Sequence, residues 1–515
     1  MGDTLGILNL FSRNAGPILV GLGALAAFTW LWFHAAWFGD DAYASYRAAE
    51  NVAAGNGPSW DPRLRVQAYS NPAWVLLMAA FRWLHSDIRV VSLVLSYVCS
   101  VAALILAARS VGDIKGWGYL LGFALLTSSR SFVDFTSSGL ESPLTLMIVA
   151  SLCAVTWAKP GLIQRTTLVG IVSLGLVNRL DMLWLCAPLL VWVGLRSNRR
   201  DLPWLALAML PIFCWLVFAL VYFGTPLPNT YFAKLPPSIA KVDMWVFGLR
   251  YLWITARFDP VGASLVLLGI VSPWMGRHDE GERVWSISLF AGLAYIIFVG
   301  GDFMVGRFVA PLTVGGAVIV VRSLASSGAP RPRIAAGLLA FSALCHLVVP
   351  QLPWTYRSGQ GTAFNVALLV TDERGFRPNN QLLVAMSYFG HLEHATVFPA
   401  ASPEEPLEVV VVRGCQPGYD FPSTRWALGV HGLTDPLLAR LLPERSYYVP
   451  GHLTREVPEG YPETLSTGEM AIVDPRLAAY AERIFTVCQG PIWTRERWAQ
   501  IWHLNVRERF YAGGQ

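Results

Sequence analysis

The chain has 515 residues, of which 54% are AVILMFWYC and only 14% are Asp, Glu, Lys or Arg, with a formal charge of +5. Soluble proteins carry about a quarter charged residues, so this composition excludes an ordinary cytosolic enzyme and predicts an α-helical polytopic membrane protein. The small positive excess calls for no nucleic acid, because Lys and Arg gather in short loops on one side of a bilayer.

A spanning helix needs about 20 mainly apolar residues. Such segments lie at 17–38, 88–108, 117–129, 143–158, 166–178, 183–195, 203–223, 260–276, 284–300, 307–324 and 333–349, which predicts about eleven spans. The first run exceeds a signal-peptide core and no small-x-small site precedes Asp40, so it is expected to stay as an uncleaved span. One set of loops holds Arg109, Lys115, Lys159, Arg165, Arg196, Arg199, Arg200, Arg277 and Arg283 and is expected to be cytoplasmic. The opposite, exoplasmic set then holds Asp40, Asp41, Glu141, Asp181, Lys234 and Asp302.

Two exoplasmic loops, 40–71 and 224–260, exceed what a connection needs, and loops of that length carry function or helices of their own. In the first, Ala42–Ala54 predicts a juxtamembrane helix ending at Gly55, and 72–85 reads as interfacial or re-entrant. Beyond Pro350 the long apolar runs stop, which divides the chain into a membrane domain, 1–350, with a first exoplasmic loop at 39–87, and a soluble domain, 351–515. Short strands at Phe364–Val370, Gln381–Met386 and Leu407–Val412 and a helix at Asp435–Leu442 that breaks at Pro443 predict a small α/β fold there. Cys415 and Cys488 lie in this tail and are a candidate disulfide if it faces an oxidising compartment.

The strongest chemical signal is the doublet Asp40-Asp41 directly after the first apolar run, since acids beside hydrocarbon must be paired or used. Asp40 is a candidate helix cap, which cannot account for both acids. Neighbouring helical side chains point about 100° apart, so one acid is expected to act as a base while the other positions it or binds a cation. Further along, Arg65, Gln67, Tyr69, Ser70 and Asn71 form a polar set suited to a polyhydroxylated ligand, with Trp60, Tyr69 and Trp74 read as interfacial aromatics. Three more turns place ionisable groups at span ends: Asp134 with Glu141, Arg179 with Asp181, and Asp302 with Arg307. The turn GTPLPNTYFAK adds Asn229, Tyr231 and Lys234, the last suited to a lipid-linked phosphate. Walker, GxGxxG, CxxC and HExxH patterns are lacking. A divalent cation on Asp40 and Asp41 stays open, because carboxylates suit Mg²⁺ or Mn²⁺.

The runs GDDAYASYR, RVQAYSNPAW, SSGLESPL, GTPLPNTYFAK and GGDFMVGRFVAPL, followed by HGLTDPLLAR and PGHLTREVPEGY, resemble the GT-C glycosyltransferases. Within that superfamily they are most similar to the terminal β-(1→2)-arabinofuranosyltransferases. The resemblance implies the GT-C fold in a bacterial inner membrane, with the site and tail on the periplasmic side. It also implies an inverting transfer of a sugar, arabinofuranose foremost, from a polyprenyl-phosphate donor to an exoplasmic glycan or glycoprotein acceptor. Under it Asp41 or Asp40 deprotonates the acceptor, Lys234 and Arg307 meet the donor phosphate, and Arg65 and Arg179 are outer candidates. Gln67, Tyr69, Asn71, Glu141, Asn229, Tyr231 and Asp302 are then candidate substrate contacts, and Asp435 and His452 candidate acceptor contacts. The rivals are a transporter or flippase of lipid-linked sugars and a non-enzymatic envelope assembly factor.

Overall fold

A computed structural model describes residues 2–111, 117–275, 278–326, 331–348, 370–376, 407–419, 421, 424–444 and 449–511. The chain is mainly helical: α1 (Gly2–Ala35), α2 (Asp40–Ala53), α3 (Pro72–Ala80), α4 (Ile88–Ser110), α5 (Trp117–Ser128), α6 (Arg130–Asp134), α7 (Ser142–Thr156), α8 (Leu162–Asn178) and α9 (Met182–Arg196) come first. They are followed by α10 (Leu202–Ala208), α11 (Leu210–Phe223), α12 (Asn229–Lys234), α13 (Lys241–Phe258), α14 (Pro260–Val271), α15 (Glu280–Val299), α16 (Ala310–Ser326) and α17 (Arg331–Val348).

Among the described residues, Ile88–Ser110 and Glu280–Val299 are long and apolar enough to cross a membrane, and up to four helices or pairs are if each of two bent pairs is one span. Shorter apolar helices cover Leu19–Ala35, Gly118–Ser128, Ser142–Thr156, Leu162–Asn178, Met182–Arg196, Ala310–Leu324 and Arg333–Cys345. These apolar helices are those of a helical membrane protein, and the expectation of about eleven spans rests on the shorter ones. The predicted segment 203–223 is bent by 50° between α10 and α11, where Pro211 removes a helical donor.

The long loop 224–260 carries helices of its own, as its length suggested: α12 and the 18-residue helix α13, which packs on α15 and makes up about half of it. Gly248 makes that contact close: a Cβ there would lie 2.6 Å from the Ile297 carbonyl oxygen. At the junction of α13 and α14 the chain turns by 114°, and the Asp259 carboxylate fixes the turn by accepting from Gly262 N, Ser129 Oγ and Ser131 N.

The juxtamembrane helix appears as α2, two residues longer at its start than predicted, and Gly55 follows it in the left-handed region at φ +79°. Trp60, Tyr69 and Trp74 are 4%, 3% and 0% exposed, which overturns their reading as interfacial aromatics. They pack inside the protein, where the Trp74 indole donates to Gly139 O and the Tyr69 hydroxyl to Pro58 O.

In the tail, strands β1 (Glu408–Val412) and β2 (Arg425–Gly429) pair in parallel, Glu408 opposite Arg425 and Val412 opposite Gly429. β1 matches the strand expected at Leu407–Val412, whereas β2 was not anticipated. The strands expected at 364–370 and 381–386 lie outside the described residues, save Val370. Asp435–Leu442 is not the predicted helix. Pro436 and Pro443 bracket it, and only the 3₁₀ turn Leu438–Arg440 forms, with Asp435 satisfying Leu437 N and Leu438 N.

Val370, Val412, Cys415, Ala427 and Leu453 of the tail share one apolar cluster with the membrane helices. Leu64 and Val66 of the first loop reach the other way, into the cluster built on the tail helices Tyr461–Thr467 and Pro475–Gln489. The tail is thus packed over the loop that carries the acidic doublet.

Candidate active site

Asp40 and Asp41 open the first turn of α2, where unpaired N–H groups favour anions. Gly39 is the N-cap, and no side chain caps the helix, so the capping role considered for Asp40 is not realised. The two acids diverge as consecutive helical positions must. Asp40 is buried: its Oδ2 accepts from Cys415 N at 2.9 Å, and its backbone N–H donates to Glu373 Oε1 at 3.0 Å. Asp41 lines a cavity, with its Oδ2 3.2 Å from Arg307 Nη1.

Arg307 is a hub. Its Nη1 also reaches Asp302 Oδ2 at 3.3 Å, and its Nη2 reaches Glu141 Oε1 at 3.1 Å. Glu141 is fully buried and pairs with Arg179, which in turn forks onto Asp181. The other Glu141 oxygen accepts from Asn71 Nδ2 at 2.8 Å, and Asn71 Oδ1 accepts from Ser45 Oγ of α2 at 3.0 Å. Burial alone would raise the Glu141 carboxyl, but Arg307 and Arg179 hold it well below its usual range. Burial opposes ionisation of Asp41 in the same way, and Lys234, Arg307 and His452 together still keep its carboxyl below the ordinary value.

Local structure explains why Glu141 sits there. The indoles of Trp32, Trp37 and Trp74 donate to the carbonyls of Thr136, Asp134 and Gly139, pinning the turn that leads into α7. Gly139 adopts φ +73°, and a Cβ would fall 2.0 Å from the Tyr46 hydroxyl, so only glycine fits.

One small cavity, about 30 Å³, is lined by Asp41, Asn71, Glu141, Lys234 and Arg307 together with Ser45, Tyr69 and Cys415. Residues from α2, the first loop, the turn before α7, α12, the turn before α16 and the tail meet there. Its volume is that of roughly one water, so it accommodates a reacting hydroxyl and leaves the rest of a substrate outside.

Other predicted residues lie elsewhere. Arg65 is clamped to the end of Pro475–Gln489, its side chain donating to Val487 O and Gly490 O. Gln67 is buried, donates to Tyr69 O and lends its carbonyl to Asn229 N. Asn229 Nδ2 fastens the tail through Gly432 O, Leu433 O and Asp435 O. Tyr231 is exposed and stacks edge-on with Phe232. Asp435 is buried and accepts from Tyr461 Oη at 2.8 Å, a packing role, with burial pushing its carboxyl up to about 6. Asp302 reaches the cavity only through Arg307. His452 packs edge-on against Phe303, ring centroids 4.4 Å apart, and bears electrostatically on Asp41.

No disulfide joins Cys415 and Cys488; both are thiols. Cys415 packs beside the doublet in the membrane cluster, whereas Cys488 sits in the separate tail cluster.

Sequence reasoning missed what the tail contributes: Glu373, the Cys415 backbone N–H and His431. It also missed a fully buried set of four charges beneath the doublet. There Arg130 bonds Asp372 Oδ2 at 2.7 Å and lies 3.4 Å from Asp134 Oδ2, and Arg374 completes the set on Asp134. The run Asp372-Glu373-Arg374 was the available signal.

Asp40, Asp41 and Cys415 place three potential ligand atoms within 4.8 Å of one another. The set fits Mg²⁺ or Mn²⁺ poorly. Those ions take an all-oxygen shell, whereas here one donor is a thiol and both carboxylates already accept hydrogen bonds, Asp41 from a guanidinium. No chemical step below is routed through a metal.

No protein-family profile matches the chain, and no solved structure matches it. It is 27% identical over 332 residues to the terminal beta-(1->2)-arabinofuranosyltransferase of Mycobacterium tuberculosis, covering 55% of this chain and 52% of that protein. To the protein of the same name from Corynebacterium glutamicum it is 26% identical over 330 residues, covering 54% of this chain and 46% of the other. The chain spans about half the length of the curated relatives it matches. The resemblance read from the sequence runs is therefore shown at the level of kinship.

Proposed function

We propose that this relative of the terminal β-(1→2)-arabinofuranosyltransferases is itself a multi-pass membrane glycosyltransferase. In this reading it takes a sugar, arabinofuranose foremost, from a polyprenyl phosphate and passes it with inversion to an exoplasmic glycan or glycoprotein. The observation that supports it best is the meeting of Asp41, Arg307, Glu141 and Lys234 on one cavity from distant parts of the chain.

Asp41 is the general base. It lines the cavity, while Asp40 is turned into the protein and anchors α2 to the tail. The acceptor hydroxyl gives its proton to the Asp41 carboxylate as its oxygen forms the new bond to the anomeric carbon. The bond from that carbon to the phosphate oxygen breaks, and its electron pair leaves with the phosphate. Arg307 orients Asp41 and is already shared among Asp41, Asp302 and Glu141, so the donor phosphate falls to Lys234. A phosphate on Lys234 offsets one of the charges that hold the Asp41 carboxyl down, so the base strengthens when the donor is bound. The soluble domain, 351–515, orients the acceptor.

Purified protein incubated with a panel of polyprenyl-phosphate sugars and a glycan acceptor tests this. A glycosyl product that disappears in Asp41→Asn is expected. Transport of the lipid-linked sugar in liposomes without product would replace the reading by its transporter rival.

A further inference from the structure

Lys234 is drawn into a cationic corner that the tail completes. Arg455 is 1% exposed and, rather than meeting a carboxylate, donates to the carbonyls of Ala233 at 2.7 Å, His431 at 2.8 Å and Leu453 at 2.5 Å. Each carbonyl belongs to, or adjoins, one of three residues: Lys234, His431 and His452. The guanidinium therefore gathers their backbones around one point. The imidazoles of His431 and His452 stand 5.1 Å apart. Gly451 runs along Lys234, for a Cβ there would lie 3.5 Å from Lys234 Cε.

The nitrogens of the pair are set for an anion. His452 Nδ1 meets the Pro450 carbonyl at 3.3 Å, and a carbonyl only accepts, so Nδ1 carries the proton and Nε2 is left for another partner. His431 Nδ1 is buried and has no hydrogen-bond partner among the described residues. A buried nitrogen left in that state costs about 1–3 kcal/mol, a cost that an incoming acceptor removes.

We infer that Lys234, His431 and His452 form a seat for a phosphate monoester dianion, the group that the donor leaves behind. This rests on the transfer reading above. When the sugar departs, a phosphodiester monoanion becomes a monoester that gains a second negative charge, and the imidazole pair answers it by taking up a proton from water. His452, Arg455 and Arg413 oppose protonation of His431, and Asp41 favours it. Burial and these three groups lower His431 to about 4, so it is neutral at pH 7 until the dianion arrives.

The probe is farnesyl monophosphate added to full-length protein with ¹⁵N-labelled histidine in detergent. Two imidazole signals are expected to shift, and His431 to stay protonated to a pH about three units higher. Farnesol should shift neither. His452→Gln, at an exposed position, should bind the probe about tenfold more weakly while unfolding at the same temperature. Unchanged affinity in His452→Gln and His431→Gln, with both folded, overturns the inference. So does an equal response to phosphatidylglycerol, a phosphodiester monoanion, which would assign the corner to bulk anionic lipid. Because the readout needs neither a sugar nor turnover, loss of the transfer reading with capture intact is distinguishable from loss of the phosphate seat.

Discussion

Two buried charge clusters lie near each other in this molecule, and they are built on opposite principles. In the set beneath the doublet, Arg130 and Arg374 meet Asp134 and Asp372, two cations against two anions, each side chain at most 4% exposed. Among the described residues the set is electrically closed. Around the cavity, Arg307 alone is divided among Asp41, Glu141 and Asp302, while Lys234 lines the same space with no ion pair among the described residues. That cluster is open. A closed set holds helices and the tail together, whereas an open one keeps an acid ionised and a cation ready for a ligand.

The comparison breaks first at Asp41. Asp41→Asn is expected to lower transfer about 10²–10⁴-fold, the span of general-base catalysis, with the melting temperature unchanged within a few degrees. Equal activity in Asp41→Asn and Asp40→Asn would remove the distinction between their roles.

The closed cluster should answer with stability instead. Arg374→Met leaves the buried Asp134 carboxylate with only the longer contact to Arg130, and breaking a buried pair in this way costs about 3–5 kcal/mol. Thermal unfolding in detergent should show the loss, and a second change, Asp134→Leu, should recover much of it. Failure of the double variant to recover would mean that the four charges do not act as a set.

How far the sequence revealed this contrast depends on how local each signal is. The doublet, the turn holding Glu141 and the lysine of GTPLPNTYFAK are each legible within about ten residues, because helix starts and polar turns are short-range features. By contrast, the place and extent of α13 within its long loop were not legible, because Lys241, Asp243 and Arg250 interrupt its apolar residues. The closed cluster pairs Arg130 with a residue more than 240 positions away, and no local pattern encodes such a pair. Asn229 and Asp435 looked like substrate and acceptor contacts because polar residues near a site and polar residues that fasten a tail look alike in sequence.

A weaker test concerns Asp435, which belongs to the closed kind. Its folded carboxyl titrates near 6, above the ordinary aspartate value of about 3.9, because burial disfavours its charge. A raised carboxyl means that the folded state holds the proton more firmly. Its contribution to stability is therefore present below about pH 4 and is lost as pH rises toward 6, on the order of 3 kcal/mol. Asp435→Asn should flatten the stability profile across that window. An unchanged slope would mean that another group sets it.

The smallest expected effect separates Arg65 from Lys234, two cations that the sequence placed on the same phosphate. Arg65 donates to the last carbonyls of Pro475–Gln489, where the helix dipole is negative, so Arg65→Gln should cost about 1 kcal/mol of stability and leave the donor KM unchanged. Lys234→Gln should do the reverse, raising the donor KM with little change in melting. If Arg65→Gln raised the donor KM as much as Lys234→Gln, the phosphate would have to lie between the first loop and the tail helix. The open cluster around Asp41 would then hold the acceptor alone.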